Sequence, residues 1–487
     1  MCIRFSLVVL LVWLSTVCAA QDSNSGQELA RVSRELQETR ADLSDSRREI
    51  QELRKSVEEL RARLEPNRQS ETAGPSASAE PSTATADQDV SFLAAKVREL
   101  HQDKVESASK YPVKISGLVL FNSYLNHGTL DAEDLPSLAF PRFPGYPNGS
   151  LGATMSQTLL ALEVGGPRVF GARSSADVAM DFGGGSPETP YGITSGLFRL
   201  RAANVHLDWG KTSLNVGQDA LFFSPLSPTS YATLKQPALS WAGNLWVWTP
   251  QIEVEHRFAL RSNSAFFVQG GFLDPLTEEV PPFQGRMATA GEATRVPAVA
   301  GRIAFDRSSA EHYPFTIGFG GYRAQQKYGT FPDIDSWTVN ADLTASLGRY
   351  LEFSGEWYRG QAVGGIGGGI WTSVLYPNPS GLQPAIHPLH STGGWMQWKV
   401  KPTTRLEMNA ALGQDENYGK DLRFFPVPFS GYGFPALQKN KTGFVNAVYK
   451  PGEFLLFALE YRRIFTAPVE SKSASGDQVN LAAGVRF

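Results

Sequence analysis

Pairs of carboxylates on strand-like segments are the residues best placed to do chemistry in this sequence. Glu253 and Glu255 are two positions apart, and Glu352 and Glu356 are four apart. On an extended strand, each spacing puts both side chains on one face. Two carboxylates on one face can carry general acid–base catalysis. A charged face is also typical of a strand whose polar side meets water, which is our interpretation, and a catalytic pair is the alternative.

Two glycine-containing patterns resemble nucleotide-binding motifs but lack a required part. The segment 210–212 (GKT) ends like a phosphate-binding loop, yet Val205 stands where that motif needs its first glycine. The glycines between 364 and 369 do not complete a dinucleotide-binding pattern, because Ile370 occupies the third glycine position. We interpret this glycine run as a flexible outer loop.

The histidines His387 and His390 have an HxxH spacing in a proline-rich segment but no evident third ligand. A solvated pair is our interpretation, and a metal site is the alternative. No metalloprotease motif and no nucleophile elbow accompanies them. We therefore predict no catalytic residue, no metal and no cofactor.

The composition favours a large β-protein. The chain has 487 residues, of which 46 are glycine, 11% are aromatic and 19% are charged. The net charge of −3 provides no global field that would attract nucleic acid, so no nucleic-acid partner is expected.

Residues 1–20 have the features of a signal peptide. Arg4 precedes a short apolar run at 5–17, and small residues precede Gln21. Cleavage as a lipoprotein before Cys18 is the alternative. Because Cys2 and Cys18 are the only two cysteines, the mature chain would have neither disulfides nor thiolate metal sites. No other stretch is apolar enough for a transmembrane helix.

The region that follows predicts a coiled coil over residues 27–65. Its apolar residues recur at alternating three- and four-residue steps, and the remaining positions are charged or polar. The seam consists of Leu29, Val32, Leu36, Leu43, Ile50, Leu53, Val57, Leu60 and Leu64. A single amphipathic helix packed on a globular body is the alternative. Residues 66–88 are a Pro/Ser/Ala linker, and 89–110 predict a short helix.

From 111 to 487 the sequence predicts an all-β barrel of about sixteen antiparallel strands. Strand-like alternation recurs, and the segments between are alternately short and long. The predicted strands are 113–125, 153–165, 169–183, 196–208, 211–219, 248–258, 264–273, 296–306, 313–324, 334–346, 349–361, 392–401, 404–414, 441–450, 453–465 and 478–487. Slippage of the pattern near Ala202 predicts a bulge there.

The faces of these strands indicate a transmembrane barrel. One face is apolar and the other is polar and charged, as expected for walls between lipid and water. Aromatic residues near strand ends are typical of interfacial girdles; they include Trp209, Trp246, Trp248, Trp337, Tyr350, Trp357, Trp398, Tyr449 and Tyr461. The last ten residues alternate in the same way and end on Phe487. A half-buried strand of a soluble protein is the alternative for that segment alone.

This combination of signal, coiled coil, linker and barrel ending in Phe487 resembles the DcaP-type trimeric outer-membrane porins and, more distantly, the phosphate-selective O/P-type porins. The segment 198–223 (FRLRAANVHLDWGKTSLNVGQDALFF) is similar to the family's arginine-containing strand pair with its Gly-Gln-Asp step. The resemblance implies a homotrimer, a periplasmic stalk and passive uptake of small anions through a pore narrowed by a folded-in loop, here 220–247. It also implies that Leu481, Val485 and Phe487 form the signal read by the barrel-assembly machinery.

The predicted function is an outer-membrane porin that conducts small hydrophilic solutes. The alternatives are an outer-membrane anchor or adhesin whose stalk binds peptidoglycan or another partner, and an outer-membrane enzyme. Basic and acidic residues are nearly balanced in the barrel region, so ion selectivity stays open. The predicted pore-lining residues are Arg199, Arg201, Ser230, Tyr231, Lys235, Glu352, Glu356, Arg405, Glu407, Glu460 and Arg462.

Overall fold

Alternating apolar and polar residues form sixteen long strands in one closed sheet. The structure, a computed structural model, describes residues 111–487 except 143, 146, 186–195, 262, 279–286, 310–311, 379–384 and 431–433. The predicted signal peptide, coiled coil, linker and short helix lie outside the described residues. The strands are β1 (Val113–His127), β2 (Gly149–Thr154 and Leu159–Val169), β3 (Ala172–Asp181), β4 (Arg199–Asp208), β5 (Thr212–Ala220), β6 (Trp248–Arg261), β7 (Ser264–Leu273), β8 (Ala298–Ser309), β9 (His312–Gln326), β10 (Ile334–Ser346), β11 (Leu351–Gln361), β12 (His390–Val400), β13 (Leu406–Asn417), β14 (Leu437–Tyr449), β15 (Leu455–Pro468) and β16 (Ala474–Arg486).

The strands close into an antiparallel barrel. Each strand pairs with the next along the chain, and β16 pairs with β1 over ten residues from Leu118 to His127. The two segments of β2 both pair with β1, one after the other. The prediction of sixteen antiparallel strands is therefore confirmed.

The break inside β2 differs from the single strand predicted at 153–165. Residues 155–158 form a turn in which Thr158 N–H donates to the carbonyl of Met155 (3.0 Å). The turn lets the fully buried Gln157 leave the strand and face the barrel interior. The alternation of apolar and polar residues in the sequence gives no signal for this turn.

The connections divide into two rims. The turn rim carries short connections, such as the one at 209–211, where Gly210 has φ 88°. The loop rim carries the longer segments at 128–148, 182–198, 221–247, 274–297, 362–389 and 418–436. The chain end lies at the turn rim, where Gly117 and Phe487 exchange backbone hydrogen bonds of 2.9 and 3.1 Å.

The outer face is apolar and the inner face is polar. On β15, Leu455, Phe457 and Leu459 are exposed on the outside, whereas the alternate residues Glu460 and Arg462 are buried inside. The predicted bulge is present one residue early, because β3 and β4 slip in register around Arg201. Among the described residues, no helix is long and apolar enough to cross a membrane.

Candidate functional site

The inner face of the barrel is occupied by the segment 221–247, called here the inner loop. Its first half follows the wall, and its contacts pass from β10 through β11, β12, β14 and β15 to β1 and β2. The carbonyl of Phe223 accepts a hydrogen bond from Asn340 on β10. The carbonyl of Tyr231 accepts one from Asn122 on β1 (2.9 Å). The loop therefore runs round much of the interior, as the resemblance implies.

The carboxylate of Glu356 on β11 holds the start of the inner loop. One oxygen accepts a hydrogen bond from Ser224 Oγ (2.9 Å) and the other from Leu226 N–H (2.9 Å). Glu356 is only 6% exposed. A buried carboxylate needs such donors, because leaving it unpaired in this environment is costly.

A second acidic anchor holds the middle of the inner loop. Ser230 Oγ donates to Glu460 on β15 (2.6 Å), and Arg462 donates to the other oxygen of that carboxylate (2.8 Å). Thr229 N–H donates to Gln397 (2.6 Å). These contacts fix the polar points of the loop to charged and amide groups on the wall.

A third anchor lies where the inner loop reaches β2. Lys235 N–H donates to Gln157 Oε1 (2.7 Å), and its ammonium group forms an ion pair with Asp134 and donates to Ser156 Oγ (3.1 Å). The Lys235 carbonyl accepts a hydrogen bond from Arg199 on β4. The only charged side chain of the inner loop is thus already paired.

The two arginines of β4 share one buried carboxylate. Arg199 binds Asp181 through two hydrogen bonds of 3.0 and 2.7 Å, and Arg201 Nε lies 3.5 Å from the same group. Both guanidinium groups also lie over the ring of Trp248, at 5.0 and 4.6 Å from its centroid. The group carries a formal charge of +1 and retains part of its exposure, because the side chains of Arg199 and Arg201 are 29% and 19% exposed.

Apart from Arg199, Arg201, Tyr231 and Lys235, the predicted pore-lining residues divide into three sets. Ser230, Glu356, Glu460 and Arg462 point into the barrel but are buried between the inner loop and the wall. Glu352 and Glu407 lie on the inner wall towards the turn rim. Arg405 is exposed at the turn rim, just before β13.

A lysine that sequence reasoning missed joins the two turn-rim carboxylates. Lys399 Nζ lies 3.6 Å from Glu352 and 3.9 Å from Glu407. Asp134 and Asp181 were missed as well. Both Asp181 and Lys399 lie on predicted strands, but only their pairing across strands indicates their role.

The ring of Tyr231 packs on the inner wall, near the end of β1 that lies at the turn rim. Its ring contacts the apolar cluster that contains Leu118, Leu120 and Val448. Burial raises the pKa of the Tyr231 phenol.

The glycine run predicted to be a flexible outer loop instead lies packed inside the loop rim. Residues Gly364–Ile366 form a buried 3₁₀ turn within the segment 362–389, called here the glycine loop. A Cβ on Gly365 would lie 1.9 Å from the carbonyl of Leu276, so only glycine fits there. Close backbone packing, and not flexibility, explains this composition.

The histidine pair predicted to be solvated is instead paired with a buried carboxylate. His387 Nε2 and His390 Nδ1 lie 3.0 and 2.9 Å from the two oxygens of Asp421, and His387 stacks on Phe424. Burial raises the pKa of Asp421, but hydrogen bonds from the two histidines outweigh it and leave the pKa below 3.8. Within the described part of the chain, no group of three metal-ligating side chains forms a metal site.

The chain is similar to solved structures of outer-membrane channels. It matches the crystal structure of the outer membrane channel DcaP of Acinetobacter baumannii with a TM-score of 0.57 and 16% identity, over 78% of this chain and 99% of that chain. It also matches the anion-selective porin from Comamonas acidovorans (TM-score 0.48, 10% identity, 78% of this chain and 100% of that chain). A third match is OprB of Pseudomonas putida (TM-score 0.47, 10% identity, 77% of this chain and 94% of that chain).

No protein-family model matches the chain, and no curated protein matches it. The likeness to DcaP confirms the resemblance at the level of the fold. The chain thus has the fold of a sixteen-stranded outer-membrane channel.

Proposed function

We propose that the protein is an outer-membrane porin that conducts small hydrophilic solutes by passive diffusion. The observation that carries the proposal is a closed sixteen-stranded barrel with an apolar outer face, a polar inner face and a loop held against the inner wall. A barrel of this size is wide enough for an aqueous channel. A loop inside it would set the width, and the charged groups beside the loop would set selectivity.

Several further properties belong to the same proposal. The loop rim would face outward and the turn rim the periplasm, where residues 27–65 would form a coiled-coil stalk after removal of residues 1–20. The protein would be a homotrimer, and its stalk could contact peptidoglycan. The closing segment with Leu481, Val485 and Phe487 would be recognised by the barrel-assembly machinery. Catalysis is not part of the proposal.

The test is reconstitution of the purified full chain in a planar lipid bilayer. We expect stepwise increases in conductance, grouped in threes if the protein is a trimer. A folded, heat-modifiable barrel that never conducts would overturn the porin proposal and favour a role as an outer-membrane anchor. The protein without residues 27–65 is the matched control, because the stalk should not contribute to conductance.

A further inference from the structure

Four tryptophans from three segments of the chain form a continuous row of contacts, called here the tryptophan track. Trp241 stacks on Trp371 with ring centroids 5.7 Å apart, Trp371 contacts Trp246 at 5.6 Å, and Trp246 contacts Trp248 at 5.3 Å. Trp241 and Trp246 belong to the inner loop, Trp371 to the glycine loop, and Trp248 begins β6. All four side chains are partly exposed.

Part of this row faces away from the barrel wall. Leu245 is buried in an apolar cluster with Tyr358 of β11, and Val247 packs against the same cluster. Successive side chains of an extended segment point to opposite sides. Trp246 therefore points away from the wall cluster, and its ring contacts that of Trp248, over which the guanidinium groups of Arg199 and Arg201 lie. This placement corrects our assignment of Trp246 to an interfacial girdle.

The backbone holds the stacked pair in an unusual conformation. Trp241 has φ 65° and Trp371 has φ 61°, in the left-handed region that residues other than glycine rarely adopt. Such strain persists only where surrounding contacts impose it, and it concentrates at binding sites. Of the seven described non-glycine residues with positive φ, five lie in the inner loop and the glycine loop.

Hydrogen bonds from the barrel strands hold this backbone conformation in both the inner loop and the glycine loop. The Trp241 carbonyl accepts a hydrogen bond from Asn440 of β14 (2.8 Å). Next to Trp371, Ile370 N–H donates to Asp415 of β13 (3.3 Å), and Gly369 N–H donates to Tyr358 Oη (2.8 Å). The backbone that carries Trp241 and Trp371 is thus held by the wall, which reduces the entropy that a ligand must overcome on binding.

One end of the track carries positive charge. Arg199 and Arg201 lie over Trp248, and they share the single carboxylate of Asp181. Among the described residues of this group, one guanidinium charge is therefore left without an acidic partner. A solute that stacks on the track can place an anionic substituent at this end.

We propose that the tryptophan track binds aromatic carboxylates. Flat aromatic rings stack favourably on indole faces, and the surplus guanidinium charge complements a carboxylate. A neutral sugar could cover the rings but would leave that charge without a counterion. The inference rests on the proposed function, because a solute reaches the track through the lumen. It specifies which class of solute the pore would favour.

The test compares benzoate with cyclohexanecarboxylate by isothermal titration calorimetry on the detergent-solubilised full chain. Both probes carry one carboxylate, but only benzoate has an aromatic face. We expect benzoate to bind about tenfold more tightly. Equal affinities, or no binding of either probe at millimolar concentration, would overturn the inference without requiring any variant.

Variants locate the binding to the track. Trp371→Leu and Arg201→Gln should each weaken benzoate binding at least about fivefold, and Trp371→Phe should restore most of it. The matched control is Trp357→Leu, because Trp357 lies on the outer face and is 49% exposed. Unchanged binding in Trp371→Leu would overturn the assignment.

Bilayer conductance separates the two claims: binding without conductance contradicts only the porin proposal, and conductance without binding contradicts only this inference.

Discussion

At the scale of single residues, basic side chains at the inner wall are paired with carboxylates. Lys235 is paired with Asp134, and Arg199 and Arg201 share Asp181. The electrostatic influence of these basic groups therefore depends on carboxylates contributed by distant parts of the chain. The charge at the inner wall of the barrel is therefore the sum over each cluster of paired residues.

Replacement of Asp181 tests this dependence. Asp181→Asn removes one negative charge beside two arginines, so the reversal potential in a salt gradient should shift towards anion selectivity. The matched control is Asp335→Asn, since Asp335 pairs with Arg323 on the outer face and both side chains are more than half exposed. An unchanged reversal potential in Asp181→Asn would show that this cluster lies away from the ion path.

The pairing of Asp421 with His387 and His390 predicts that local stability at the loop rim depends on pH. The folded-state pKa of Asp421 lies below its ordinary value of 3.8. The ionised carboxylate therefore stabilises the folded state fully above pH 3.8, and this stabilisation is lost as the pH falls through the folded-state pKa. Asp421→Asn should lose about 1–3 kcal/mol of local stability at neutral pH. The measurement is hydrogen exchange at His390 N–H, which donates to Asp421 (3.0 Å). Because Asp421 stays ionised over this range, wild-type protection, corrected for intrinsic rates, should not fall between pH 7 and pH 5; a marked loss at pH 5 would contradict the assignment to Asp421.

At the scale of elements, the sequence predicts the strands well and the packing of the loops poorly. Most strands extend further towards the loop rim than predicted, as β13 does to Asn417 and β14 does from Leu437. Outward residues on these extensions are polar, for example Glu416 and Lys439, which pair at 2.9 Å. Hydrophobic alternation cannot detect a strand segment that is polar on both faces.

The loops were harder to predict because their contacts join residues far apart in the sequence. Glu356 was recognised as an inward carboxylate, but its burial depends on Ser224 and Leu226. The glycine loop was misinterpreted because glycine can serve flexibility or close packing. Sequence alone does not distinguish these two roles.

The anchors of the inner loop predict the behaviour of one double variant. Glu356→Ala with Glu460→Ala removes the acceptors for Ser224, Leu226 and Ser230 of the inner loop, at a cost of about 1–3 kcal/mol for each donor left buried and unpaired. The change also removes an acceptor for Asn446 and Arg462 on the wall. The loop should loosen, so open-channel noise should increase. The control is Glu352→Ala, whose carboxylate pairs with Lys399 and Lys401 instead of with the loop. Noise equal to that of the wild type would contradict the anchoring role.

At the scale of the whole molecule, the last strand completes the barrel. β16 pairs with both β15 and β1, and Phe487 adds two backbone hydrogen bonds with Gly117. The alternation of the last ten residues predicted a strand, and the pattern of the rest of the barrel region identified it as the closing strand. The partner strand β1 could be inferred because an even number of antiparallel strands returns both ends to one rim.

Deletion of Phe487 tests the role of the terminus. Loss of its two hydrogen bonds and its ring should lower the amount of folded, heat-modifiable barrel in outer membranes several-fold. Phe487→Tyr keeps the backbone contacts and an aromatic ring, and it should assemble nearly as well as the wild type. Normal assembly after the deletion would contradict a signal that depends on this residue.

The most direct test of the central claim is the single-channel conductance of the wild type and of a variant in which residues 225–244 are replaced by a short Gly/Ser linker. If the barrel is a pore narrowed by the inner loop, both proteins should conduct, and the variant should conduct several-fold more. Equal conductance would show that the inner loop does not narrow the path. Absence of conductance in both folded proteins would contradict the account of the molecule as a porin.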